Sequence, residues 1–221
     1  MTTRLDAIRR GPLRAAALVS GTREDADATI DALDRWAPRT FGGAAPACDE
    51  APLAAPKPGS YVAAGPHTQA WVALAITKAD LAAAEALAAL LDGELLPRAL
   101  AGLVREASTR VVGGERAPFF VVHLDAPDGS LDAAVAQTRV LLDRLRAQAT
   151  DDEARSAIAA LASRRRAARM DPRRRVIDLF RGETAPPTAA AVRAFAATLH
   201  DDALIVAAVR PPRPAQKPVK P

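Results

Sequence analysis

The residues of this chain that could do chemistry are few and scattered. His67, His123 and His200 are its three histidines, and Cys48 is its single cysteine. A zinc hydrolase needs about three protein ligands and a base that activates the bound water. No two of these histidines stand four apart, and no His-x-x-Glu-His occurs in either direction. His123 lies in a strand-like run and reads as structural. His67 falls in a turn, and His200 ends a helix, where an imidazolium meets the dipole favourably. One cysteine excludes an intramolecular disulfide, and Cys48 sits in an Ala/Pro-rich stretch with no neighbour to activate it.

Other reaction types find no better footing. Gly113-Gly114 leads into a charged turn and a strand, not a helix N-terminus, so it is no phosphate loop. Ser20-Gly21 lacks the flanking Gly-x-Ser-x-Gly of a nucleophile elbow. Asp151-Asp152-Glu153 and Asp201-Asp202 pair carboxylates, but at element starts, where capping explains them. The cluster Arg164, Arg165, Arg166, Arg169, Arg173, Arg174 and Arg175 contains no aromatic residue. It reads as a solvated helix face plus a loop, or a meeting point for an acidic partner, and not as a nucleic-acid surface. The net charge of +4, from 30 Lys+Arg against 26 Asp+Glu, is close to balance.

These residues need elements to position them. Half the chain is hydrophobic, yet aromatics make up only 4%, so the core must be built from Ala, Leu and Val. Alanine favours helix over strand. Leu13–Ser20 reads as a buried strand. Thr22 caps a helix with Ala26, Ile30, Leu33 and Ala37 in helical spacing, closed by Trp36 and Pro38. Residues 40–59 are rich in Gly, Ala and Pro and read as a linker. Tyr61–Ala64 and Gln69–Thr77 read as strands; the second is apolar on both faces and so central in a sheet. A helix follows over Asp80–Leu91, broken by Gly93, with a second piece over Leu96–Ala107. Thr109–Val112 and Phe119–Asp125 form a hairpin signature. Asp128 or Ser130 caps a helix with the stripe Leu131, Ala134, Val135, Leu141, Leu142 and Leu145. Thr150 and Glu153 open another as a capping box, reaching to Met170. A further turn begins at Pro172 and runs through Phe180. Thr188–Leu199 is a short helix with Val192, Phe195, Ala196 and Leu199 inward, and Asp202–Val209 a final strand. The fold class this implies is α+β: an antiparallel or mixed sheet with helices packed on one face.

Several segments in this order carry a family resemblance. They are Gly65-Pro66-His67-Thr68-Gln69 with the following strand; Leu90-Leu91-Asp92-Gly93, Leu100 and Val104-Arg105-Glu106; the strand Thr109–Val112 with PFFVVHLDAP; Thr150-Asp151-Asp152-Glu153; and the closing TAAAVRAFAATLHDDALIVAAV. Together they resemble the C-terminal, non-catalytic domain of insulinase/pitrilysin-type zinc metallopeptidases, a family that includes mitochondrial processing peptidase and the bc1 core subunits. The resemblance implies a preceding domain ending over 1–39, a linker over 40–59, a peptidase-like domain over 60–210, and a disordered Pro/Lys tail over 211–221. It also implies paired domains forming half of a clamshell around an unfolded peptide, with zinc on the other half.

In that family an Arg and a Tyr seven residues later reach the peptide from the half without zinc. Arg105 matches the arginine; Val112 stands where the tyrosine would be. A guanidinium can hold a peptide carbonyl or carboxylate, and a valine cannot replace the phenol's hydrogen bond. The alternative for Arg105 is a pairing with a neighbouring carboxylate. The expected function is that of a non-catalytic subunit with no cofactor of its own, zinc residing only in a partner half. It would bind unfolded peptide or complete the chamber of a zinc-bearing partner or of a homodimer; the alternative is an assembly module without substrate. No membrane span and no signal peptide are visible, which as written places the product in the cytoplasm; an incomplete N-terminus would make the cell envelope the alternative.

Overall fold

The computed structural model describes residues 22–40, 57–113, 117–171 and 185–212. Two compact units emerge, Met1–Pro52 with Arg165–Thr184, and Leu53–Arg164 with Ala185–Pro221. The expected strand at Leu13–Ser20, Cys48, most of the expected linker, the turn after Pro172 with Arg173 to Arg175, and the tail from Arg213 onward lie outside the described residues.

In the first unit, α1 covers Arg23–Thr40. Thr22 and Asp25 cap it reciprocally. The Thr22 N–H donates to the Asp25 carboxylate at 2.7 Å, and the Asp25 N–H to the Thr22 hydroxyl at 3.3 Å. The helix runs past Trp36 and Pro38, two residues beyond its expected end, and Ile30 is exposed.

The second unit holds a five-stranded sheet in the order β1-β5-β2-β4-β3. Its strands are β1 (Gly59–Ala64), β2 (Gln69–Ala75), β3 (Glu106–Val112), β4 (Phe119–Asp125) and β5 (Ile205–Arg210). β1 and β5 are parallel and the other pairings antiparallel, so the sheet is mixed. The apolar run of β2 does occupy the centre. Only one of its faces is fully buried, through Ala70, Val72 and Leu74; Trp71 and Ala73 on the other are half-buried.

The helices are α2 (Leu81–Leu90), α3 (Leu96–Ala99), α4 (Leu131–Gln148), α5 (Asp151–Arg169) and α6 (Ala189–Ala196). α4 packs on β2 and β4, and α6 packs on α2 and α4. The core between helices and sheet is made mainly of small aliphatics, such as Ala84, Leu87, Leu91, Val122, Leu142 and Leu145. Phe120 and Phe195 meet edge to face within it, ring centroids 5.5 Å apart, a favoured aromatic geometry. The expected stripe of α4 is buried except for half-buried Val135, and Thr138 joins it by donating to the Ala134 carbonyl.

Other boundaries differ from the sequence reading as well. Gly93 does not break the helix: the backbone passes through a π turn, Leu91–Leu95, into α3. The turn carries Asp92, whose carboxylate accepts the Thr109 N–H and, at 2.7 Å, a guanidinium N–H of Arg164. Those bonds offset the roughly 1 kcal/mol cost of a helical glycine. The expected helix Leu96–Ala107 stops at Ala99. Gly102 turns the chain at φ +76°, and β3 starts early, at Glu106, because Glu106 to Ser108 find ladder partners on β4. Finally, Asp201–Ala203 form a short 3-10 turn, so β5 begins at Ile205 and not at Asp202.

Candidate functional site

Arg105 stands just before β3, at the corner where β2 begins, β4 ends and the loop to α4 departs. Its backbone N–H donates to the Asp125 carbonyl at 2.7 Å. Its guanidinium bonds the Asp125 carboxylate through Nε at 3.0 Å, and donates to the Ala126 carbonyl, also at 3.0 Å. The corner is tied further by the Ala126 N–H to the Thr68 carbonyl and by the Ser130 hydroxyl to the Leu103 carbonyl. Ser130 stands at the expected N-cap position but spends its hydroxyl as a donor to Leu103 and Pro127 and caps nothing.

The Arg105 side chain is still about half exposed, at 56%. One guanidinium edge is occupied by the corner, while a bidentate contact needs a free edge. Val112 lies at the far end of β3 from Arg105 and is itself exposed.

The imidazoles are not brought together. His123 lies on the sheet face away from the helices, its ring 5.4 Å from that of Trp71 on the neighbouring strand. His67 is in the exposed turn between β1 and β2, and His200 precedes the 3-10 turn before β5. Among the described residues no group of three or more His, Cys, Asp or Glu side chains is placed to hold a metal ion. This donor set does not fit a catalytic zinc.

A groove that the sequence reading did not find runs between β1 and α4. Two adjoining cavities of about 220 and 260 Å³ form it. Val62, Val135, Ala136, Val206 and Ala208 supply its apolar lining. Two ion pairs line it, and Arg139 borders both cavities. Arg139 bonds Asp201, with Nε at 2.6 Å, and Arg210 bonds Asp132. The Arg139 hydrogen bond holds the Asp201 carboxyl below the usual carboxylate range. These partners lie 62 and 78 residues apart in sequence, so no local signal announced them.

On α5 the capping box is formed as read. The Thr150 N–H donates to Glu153 at 3.0 Å, and the Glu153 N–H to the Thr150 hydroxyl at 3.1 Å. Burial works to raise the Glu153 carboxyl. Hydrogen bonds from Arg144 and from the Thr150 backbone outweigh it and leave the group below its ordinary range.

With the fold and these sites in view, comparison with known proteins bears on the fold. No protein-family model matches the chain, and no curated protein matches it. Solved structures do. A peptidase M16 inactive domain from Pseudomonas fluorescens superposes with a TM-score of 0.63 at 21% identity, covering 90% of this chain and 53% of that one. A protease from Helicobacter pylori gives 0.61 at 12% identity, covering 82% and 52%. A predicted insulinase family protease from Yersinia pestis gives 0.51 at 15% identity, covering 88% and 51%. The chain spans about half the length of each. Its fold is that of the α+β domain of insulinase/pitrilysin-type, or M16, peptidases. Among the described residues no helix is long and apolar enough to cross a membrane.

Proposed function

We propose that this chain works as a non-catalytic domain or subunit of an insulinase-type peptidase, binding peptide or completing the chamber of a zinc-bearing partner. The observation that carries the proposal is a peptidase-type fold in a chain whose three imidazoles lie apart. A matching solved structure is itself described as an inactive M16 domain. Arg105 is the residue proposed to contact substrate.

The test is co-purification of the full chain with a chain bearing His-x-x-Glu-His, followed by peptide cleavage with the two mixed. Cleavage by the mixture and by neither component alone is the expected result. Stoichiometric zinc and peptide hydrolysis in this protein by itself would overturn the proposal.

One observation favours the second reading, an assembly module without substrate. The Arg105 guanidinium is already engaged by Asp125 and the Ala126 carbonyl, and Val112 offers no hydrogen bond. Under that reading the mixed complex forms but processes nothing.

A further inference from the structure

The two edges of the sheet are treated differently. Beyond β3, the outward Thr109 N–H is taken by Asp92 from the π turn, and α2 and α3 lie against that strand. Among the described residues nothing comparable protects β1. All six of its residues are exposed, Val62 at 73% and Tyr61 at 49%. The Gly59 N–H donates to the Leu204 carbonyl at 3.1 Å, and the Gly65 N–H to the Arg210 carbonyl at 2.9 Å. Backbone polar groups alternate sides along a strand. The odd-numbered residues of β1 therefore face β5, and Ser60, Val62 and Ala64 turn their N–H and C=O groups outward.

Soluble proteins usually blunt such an edge with Lys, Pro, an inward charge or a bulge. The sequence of β1, Gly-Ser-Tyr-Val-Ala-Ala, has none of these. We propose that β1 is a docking edge for a second copy of this chain, two β1 strands pairing antiparallel about a two-fold axis at Val62 to join the sheets.

Charge and size both point to this occupant. β1 bears no charged side chain, and charges that line the groove are paired internally as Arg139–Asp201 and Arg210–Asp132. An uncharged strand is what such an edge accepts without leaving an ion unpaired, and β1 is one. With the axis at Val62, each Val62 exchanges both backbone bonds with its counterpart, and Ser60 and Ala64 exchange bonds in the same way. On the sheet face away from the helices, Tyr61 of each copy lies opposite the small Ala63 of the other, a large-on-small cross-strand pairing. On the helix-covered face the two Val62 side chains meet between the grooves. The contact is isologous, so it closes at two copies and does not propagate.

Such a contact is small and therefore weak and concentration-dependent. Sedimentation velocity on the full chain tests it. Half-association is expected at roughly 10–100 µM, the range of a sub-standard interface. Val62→Lys places two like charges on the axis, and Val62→Pro removes an outward N–H that bonds nothing within the copy. Both are expected to keep the circular dichroism spectrum and to sediment as monomers. Slowed exchange of the Ser60, Val62 and Ala64 amides with rising concentration would mark the edge itself. A wild type that stays monomeric to about 500 µM, or association that both variants leave intact, overturns the proposal. The association does not depend on the peptidase partnership above, which is tested with a different partner and a different readout.

Discussion

The carboxylate of Asp92 accepts the backbone N–H of Thr109, so a side chain in the helix layer terminates the hydrogen-bond ladder at one edge of the sheet. The same carboxylate holds Arg164 of α5. One residue in a π turn thereby links α5, the α2–α3 connection and β3.

Asp92→Ala is expected to leave the Thr109 N–H unsatisfied and to free the guanidinium of Arg164. The cost is about 1–3 kcal/mol, read as a lowered urea midpoint with unchanged slope. A variant as stable as wild type would show that the link contributes nothing.

At the neighbouring position the sign reverses. Thr109 is 1% exposed, and its hydroxyl has no hydrogen-bond partner. Thr109→Val keeps the shape and removes the unpartnered group, so stability should stay level or rise by up to about 1 kcal/mol. A loss beyond that would mean that the hydroxyl is bonded in solution.

The Glu153 capping box makes stability depend on pH. Because the folded carboxyl lies below its ordinary value, its contribution is complete above the unfolded carboxylate range and disappears as pH falls through the folded value. Glu153→Gln keeps an acceptor for the cap but loses the ion pair with Arg144, and should cost about 0.5–1 kcal/mol at pH 7. Urea titrations at about pH 2.5 should find variant and wild type nearly equal. A gap that persists in acid would assign the effect to packing.

Gly65 follows β1 where the chain passes Val209, and a Cβ there would stand 2.4 Å from the Val209 Cγ1. Gly65→Ala should destabilise by about 1–3 kcal/mol, as overpacking does. The clash is with one methyl group, so in a Val209→Ala background the same substitution should cost markedly less. Equal costs in both backgrounds would point to the backbone.

Arg105→Ala tests the peptide contact. Loss of cleavage by the mixed complex, with assembly intact, supports it; unchanged cleavage rules it out, and a complex that forms but cleaves nothing even with Arg105 present supports the assembly module. Asp125→Ala is the control. It frees the guanidinium without removing it, and should weaken the corner while sparing or improving peptide contact.

Features encoded locally were legible in the sequence. The Thr22 and Thr150 caps and the inward stripe of α6 depend on residues three or four apart; the Thr188 cap, whose hydroxyl accepts the Ala191 N–H at 3.1 Å, is missed by the sequence reading although its signal is just as local. The apolar run of β2 signalled a central strand. Features set by distant partners were not. β3 extends to Glu106 because β4 offers a ladder, and Gly93 is carried through a π turn because Asp92 bonds Thr109 and Arg164. The carboxylate that meets Arg105 lies 20 residues away across the hairpin, and the ion pairs of the β1 groove join residues still farther apart. Helix periodicity carries no record of such meetings.

The place of β5 between β1 and β2 bears on how the molecule is made. β1 is attached to the sheet through the last of the described strands, in a parallel ladder joining Gly59–Ala64 to Ile205–Arg210. During synthesis, β1 leaves the ribosome long before its neighbour exists. Pairing strands this far apart is slow, because loop closure precedes any gain from contact. The early strand thus waits unpaired while everything between Ala64 and Ile205 is made, a window in which nascent chains are open to mispairing or chaperone capture.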